Sequence, residues 1–175
     1  MREKIVSAAL EVFDEKGFYK AGIRDIAKLA NCSLPTLYYY FKNKEDLFET
    51  AVCDIYEHIT AQIDEQLPEG IPLIDRYYFA VMQRQMLTPD EKRVFRIAMK
   101  IQLGVDGYES VNKRLSAWEE NRLRSERAAI EKVAGDPIFA VLVLRVIDNM
   151  LMRSILFDEA LSPEQIKQEL TYLLG

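Results

Sequence analysis

The stretch Gly22-Ile-Arg-Asp-Ile-Ala-Lys-Leu-Ala-Asn-Cys-Ser-Leu-Pro-Thr-Leu-Tyr-Tyr-Tyr-Phe-Lys-Asn-Lys-Glu-Asp-Leu47 decides the fold. Ile23, Ile26, Ala27 and Ala30 recur at helical spacing and predict a short helix from Ile23 to Ala30 with these residues inward. Asn31 tolerates left-handed backbone and can turn the chain. Ser33 can then cap a second short helix that has Pro35 in its first turn and reaches about Phe41. Small Ala27 and Ala30 at the crossing let the two helices approach closely at a steep angle. Such a pair is a helix-turn-helix, whose second helix can enter a major groove while the first lies across the backbone.

Leu37 and Phe41, four apart, point into a small core, which distributes Leu34, Pro35, Thr36, Tyr38, Tyr39 and Tyr40 around the outer surface. At about 100° per residue the three tyrosines span most of the circumference, so they cannot all be buried. An exposed tyrosine suits DNA, because its hydroxyl bonds phosphate oxygens and its ring packs on sugars or thymine methyls. Packing against a neighbouring helix is the competing reading. Lys44, at the start of the next helix, and Arg24, in the first turn of the first, put cations where free backbone N–H groups already favour a phosphate.

Working outward, Ile5, Ala8, Ala9, Val12 and Phe13 make a stripe on a preceding helix that begins near Arg2 and stops at Gly17. Asn43 caps a long fourth helix with Asp46 in its first turn and Leu47, Phe48, Ala51, Val52, Ile55, Tyr56, Ile59 and Ile63 along one face. Pro68 to Pro72 ends it. Thr88-Pro89-Asp90-Glu91 opens another helix, Gly104 to Gly107 breaks it, Gly135-Asp136-Pro137 separates two more, and Ser162-Pro163-Glu164-Gln165 opens the last. No stretch alternates cleanly as a strand. The expected fold is all-α, with nine helices: an N-terminal three-helix domain at 1–46 and a six-helix bundle at 47–175.

Composition narrows the class further. The 175 residues carry 23 Lys+Arg against 28 Asp+Glu, a net charge of −5. Residues 1–50 hold eight of each sign, so the acidic excess lies wholly in the remainder. Cys32 and Cys53, without an apolar leader, suit packed thiols in a reducing cytoplasm. With one histidine, His58, and no carboxylate cluster, a metal site is not expected. Paired carboxylates opposite a His or Lys, a phosphate-cradling glycine loop and a nucleophile motif are all missing, so no catalytic residues or cofactor are expected. Ile138 to Phe157 approaches the length of a membrane span, but Arg145, Asp148, Asn149 and Arg153 interrupt it and make it a buried or interfacial helix.

The apolar stripe with Phe13 and Gly17, then Ile23-Arg-Asp-Ile-Ala27, Ser33 and Thr36-Leu-Tyr-Tyr-Tyr-Phe-Lys-Asn-Lys-Glu-Asp-Leu47, resembles the N-terminal domain of the tetracycline-repressor (TetR) family of bacterial regulators. The likeness covers under a third of the chain. It implies that Leu34, Pro35 and Thr36 approach operator bases, that Tyr38, Tyr39 and Tyr40 contact backbone or bases, that Arg24 and Lys44 hold phosphates, and that Ser33 belongs to the same DNA-binding set. This sequence departs from the family at Gly22, usually Thr or Ser, at Leu34, often polar, and at Asn31, commonly Gly. The resemblance also implies a bundle that dimerises through its last helices and encloses a small apolar or amphipathic effector.

The residues allow that bundle. Tyr77, Tyr78, Phe79, Met82 and Met86 make one helix apolar nearly all round and therefore central. Tyr78, Met82, Met86, Phe95, Met99, Tyr108, Trp118 and Asn149 are candidate effector contacts, with core filling as the alternative for each. Arg145, Asp148 and Asn149 stand at a spacing that lets them pair, either at a dimer interface or as a polar anchor. Ile166, Leu170 and Leu173 form a stripe for a partner, and with Arg145 they are the expected dimer contacts. The expected function is a homodimeric repressor on a pseudo-palindromic double-stranded operator, relieved by effector; the alternative is control by a protein partner or by no ligand.

Overall fold

The structure is a computed structural model that describes residues 1–65, 70–105, 108–157 and 159–174. The expected helix end at 68–72 and break at 104–107 therefore lie partly outside the described residues. Every regular element among the described residues is helical. They are α1 (Arg2–Lys20), α2 (Ile23–Leu29), α3 (Leu34–Tyr40), α4 (Lys44–Phe48), a π-helix (Glu49–Asp54), α5 (Ile55–Glu65), α6 (Leu73–Gln85), α7 (Pro89–Gln102), α8 (Glu109–Ala134), α9 (Pro137–Leu156) and α10 (Pro163–Leu174). Because α4, the π-helix and α5 follow without a break, they make one rod, and the described helices then number nine.

The ends are set by the chemistry expected of them. Gly17 takes φ 72 and breaks α1, leaving Phe18 to turn back into the core. Thr88 and Glu91 cap α7 reciprocally, and Ser162 and Gln165 do the same at α10. Asp136 accepts from the Ile138 and Phe139 amides at the start of α9, with Pro137 in the first turn. Along the rod the straight-helix expectation fails in one turn. Cys53 is fully buried and Ile55 only half-buried, because the π-helix inserts an extra residue and shifts the inward face. Burial pushes the Cys53 thiol up to about 12, which leaves it an inert packed group.

The chain divides into two compact units. The first holds Met1–Ile59 and Thr88–Ala117. Its centre is aromatic: Phe13 meets Phe48 edge-on at 4.7 Å between ring centroids, and Phe18 lies 4.9 Å from Phe48. Ile26, Leu37, Phe41 and Leu47 complete the part around the helix-turn-helix. Helix α7 lies along α1 and buries Val94, Phe95, Ile97, Ala98 and Ile101. A charged clamp reinforces that contact: the Asp14 carboxylate takes hydrogen bonds from Arg96 Nε and Nη2 at 3.0 and 2.9 Å and from Lys100 Nζ at 2.7 Å. Burial alone would raise the Asp14 pKa, but these two cations bring it below its ordinary value. Packing thus groups α7 and the start of α8 with the N-terminal helices.

The second unit holds Thr60–Leu87 and Trp118–Gly175. Tyr77, Val81, Ile130, Val143, Ile147, Met150, Ile166 and Leu170 pack together in its core. In α6, Tyr77, Val81 and Arg84 are buried, Asp75 is exposed and the other residues are half-buried. A polar seam crosses this core. The buried Glu126 carboxylate accepts from Tyr77 Oη at 2.6 Å and Arg76 Nη2 at 3.1 Å. Burial, then Glu126, raises the Tyr77 phenol above its ordinary pKa. No helix among the described residues is long and apolar enough to cross a membrane.

Candidate nucleic-acid interface

The turn between α2 and α3 is built by two backbone bonds. The Cys32 amide donates to Ala27 O at 2.9 Å and the Asn31 amide to Lys28 O at 3.1 Å, with Asn31 at φ 51. That pairing is a Schellman ending with asparagine in the place glycine usually takes. The chain leaves it extended, and Ser33 Oγ accepts from the Thr36 amide at 3.2 Å to start α3. Ala27 and Ala30 are buried at the crossing as expected, while Ile23 is half-buried.

Leu37 at 0% and Phe41 at 2% exposure anchor α3 inward. The tyrosines stand outside: Tyr38 is 49%, Tyr39 81% and Tyr40 38% exposed. Tyr39 and Tyr40 meet edge-on at 5.1 Å, which holds each ring in the orientation of the other. Tyr39 is thus largely uncovered within the chain and Tyr38 about half so. Pro35 is exposed, and Leu34 and Thr36 are half-buried beside them. Ser33 and Thr36 hydroxyls lie 2.8 Å apart, so both are partly used in shaping the helix start.

The flanking cations differ from one another. Arg24 is exposed in the first turn of α2, which begins at Gly22 without a side-chain cap. Lys44 is half-buried: its ammonium donates to Phe18 O at 2.8 Å and Ala21 O at 3.2 Å and sits 4.4 Å from the Phe18 ring centre. Two of its three donors thus tie the start of α4 to the end of α1, leaving one for a phosphate. Asn43 accepts from the Asp46 amide and Asp46 from the Lys42 amide, each at 2.8 Å. Together the elements present a rigid aromatic ridge with hydroxyls at its tips and cations beside it, a surface able to bond phosphates and pack on base edges.

The remaining candidates are distributed more widely than the sequence suggests. Of the proposed effector contacts, Phe95, Met99 and Tyr108 lie in the first unit, where Phe95 packs 4.9 Å from Tyr56 and Tyr108 stacks 5.0 Å from Phe18. Tyr78 and Met82 pack against the core of the second unit, and Trp118 there donates to Thr60 Oγ1 at 3.1 Å. Met86, 75% exposed, and Asn149 lie at the surface. Arg145 and Asn149 point outward, whereas Asp148 faces Arg84 on α6 and Glu119, Arg122 and Glu126 on α8, so the three do not form one group. Ile166 and Leu170 are turned into their own core against α6 and α9, which removes them from a partner-facing stripe. The outer face of α9 and α10 instead carries exposed Ile138, Leu142, Arg145 and Tyr172, with a groove of about 340 Å³ lined by Val146, Gln168, Glu169, Tyr172 and Leu173.

Two short helices in this crossing, the second capped and aromatic outside, have the geometry of a helix-turn-helix. Residues 5–51 match the family described as bacterial regulatory proteins, tetR family. The match is confined to this N-terminal segment, which is similar to the DNA-binding domain of those regulators. The chain is 36% identical over 74 residues to the HTH-type transcriptional regulator UidR of Escherichia coli K12, covering 42% of this chain and 37% of that one. The likeness thus spans well under half of that relative's length. Across the whole fold, a TetR-like transcriptional regulator from Rhodococcus sp. RHA1 superposes with a TM-score of 0.76 at 15% identity, over 99% of this chain and 93% of the other. A transcriptional regulator from Aquifex aeolicus gives 0.71 at 22%, over 98% and 95%.

Proposed function

We propose that the chain is a DNA-binding transcription regulator that acts as a homodimer on a pseudo-palindromic operator. The single observation that carries this reading is the outward face of α3, where three consecutive tyrosines stand exposed above a fully buried Leu37. Residues 1–46 read the DNA, with Leu34, Pro35, Thr36 and the tyrosines at the groove and Arg24, Ser33 and Lys44 at phosphates. Residues 47–175 carry effector control and dimerisation. The second copy docks on α9 and α10, through Ile138, Leu142, Arg145 and Tyr172, because that face leaves apolar side chains in water while its neighbours are sealed in the core. Two-fold symmetry makes such a contact self-complementary.

The protein acts in the cytoplasm as a repressor, released by a small apolar or amphipathic effector held in the second unit near Tyr78 and Met82. An effector acts by its differential affinity for two states of the dimer. Control by a protein partner, or by no ligand, is the second reading, favoured by the ring packing that already occupies Phe95 and Tyr108.

The test is direct. Tyr38→Ala and Tyr39→Ala remove exposed side chains, so each should leave the melting temperature nearly unchanged while weakening binding to a selected duplex by about tenfold or more. Unchanged DNA affinity in both variants would refute the assignment of α3.

A further inference from the structure

The rod that leaves the helix-turn-helix is not uniform: Glu49–Asp54 winds as a π-helix, immediately after α4 and before α5. In a π turn residues five apart share a face, whereas in an α-helix five residues advance about 140° beyond a full turn. Glu49 and Asp54 are five apart, and both are held by the first turns of α8. Ser110 Oγ donates to Glu49 Oε1 at 2.8 Å, and Arg114 Nη2 donates to Asp54 Oδ1 at 2.9 Å. Arg114 continues past the turn, with Nε on Glu57 Oε1 and Nη2 on Glu57 Oε2, each at 2.7 Å. One guanidinium therefore spans the end of the π-helix and the first turn of α5. Behind it Ala51, Val52 and Cys53 are all fully buried.

We propose that Arg114 is a positioning residue for DNA recognition: it clamps the π turn and so fixes the rotation of α4, and of the helices packed on α4, about the axis of the rod. This rests on the reading of α3 as the DNA-contacting helix. With the fork removed, Asp54 and Glu57 repel one another and the end of the π turn loses its tie to α8. Relaxation of the turn then lets α4 rotate relative to the first turn of α5. Lysine at 114 can reach one carboxylate but cannot bridge two in a fixed plane.

The experiment compares wild type, Arg114→Ala and Arg114→Lys in the full-length chain. Amide hydrogen exchange is followed residue by residue, and affinity is measured for a duplex enriched from a random pool by the wild type. Clamping predicts faster exchange in Arg114→Ala confined to about residues 49–57, a roughly tenfold loss of DNA affinity, and partial recovery of both in Arg114→Lys. Faster exchange spread evenly over the first unit would show a plain stability role and overturn the proposal, as would unchanged exchange at 49–57. Local loosening with unaltered DNA affinity would overturn the positioning role. If the wild type enriches no duplex, the DNA reading fails instead, and the exchange data still decide whether Arg114 holds the turn.

Discussion

At the scale of single residues, the charges buried in the second unit set a measurable sign. Asp148 lies on α9 facing Arg84, Glu119, Arg122 and Glu126, and burial, the largest influence, holds its carboxyl above its ordinary 3.8. Glu119 and Glu126 push the same way, against Arg122 and Arg84. An acid with a raised folded-state pKa binds more protons folded than unfolded, so its contribution falls as pH rises through the window above 3.8. Asp148→Asn should therefore be more stable than the parent at pH 7, with the advantage shrinking as pH falls through the window above 3.8 and absent below it. Urea unfolding across pH 3–8 checks this, and a pH-independent difference would contradict it. None of this was visible in the spacing of Arg145, Asp148 and Asn149, because three residues on one helix face say nothing about which neighbours α6 and α8 bring.

Elements were far more legible than their partners. Caps are local chemistry, so Asn31, Ser33, Asn43, Thr88 and Ser162 could be read directly, and each stands where its spacing placed it. The turn gives a sharp check: Asn31→Ala should cost about 1 kcal/mol, because alanine pays the full left-handed penalty, whereas Asn31→Gly should be neutral or slightly stabilising. Thermal unfolding of the two variants distinguishes them, and equal melting temperatures would show that φ 51 does not matter there. What escaped the sequence was non-local. Nothing near Asp14 announces Arg96 and Lys100, and nothing near Glu57 announces Arg114, since each pair is more than fifty positions apart. The π turn escaped for a different reason, since a single inserted residue leaves helical periodicity looking intact on either side.

For the whole molecule, apolar content alone could not say which stripe faces inward. Ile166 and Leu170 have the pattern of a dimer seam yet fill the core against α6. The surface left over, with Ile138, Leu142 and 92%-exposed Tyr172, is the one we assign to a second copy. Leu142→Glu at this face should yield monomers by sedimentation with the fold retained; a dimer of unchanged strength would place the interface elsewhere. The charge balance gains meaning at the same scale. Residues 1–50 are neutral overall, with Arg24, Lys42 and Lys44 flanking the tyrosine ridge, and the acidic excess lies beyond them. Few phosphate contacts should give a modest salt dependence of DNA affinity.

The most direct measurement is enrichment of duplexes from a random pool by the purified chain, followed by the stoichiometry of the complex formed. A tyrosine ridge presented twice by a two-fold dimer predicts an inverted repeat whose half-sites lie about 10 base pairs apart, or a multiple of that, bound by an even number of chains. Recovery of no preferred sequence, or of a single half-site bound by one chain, would contradict it.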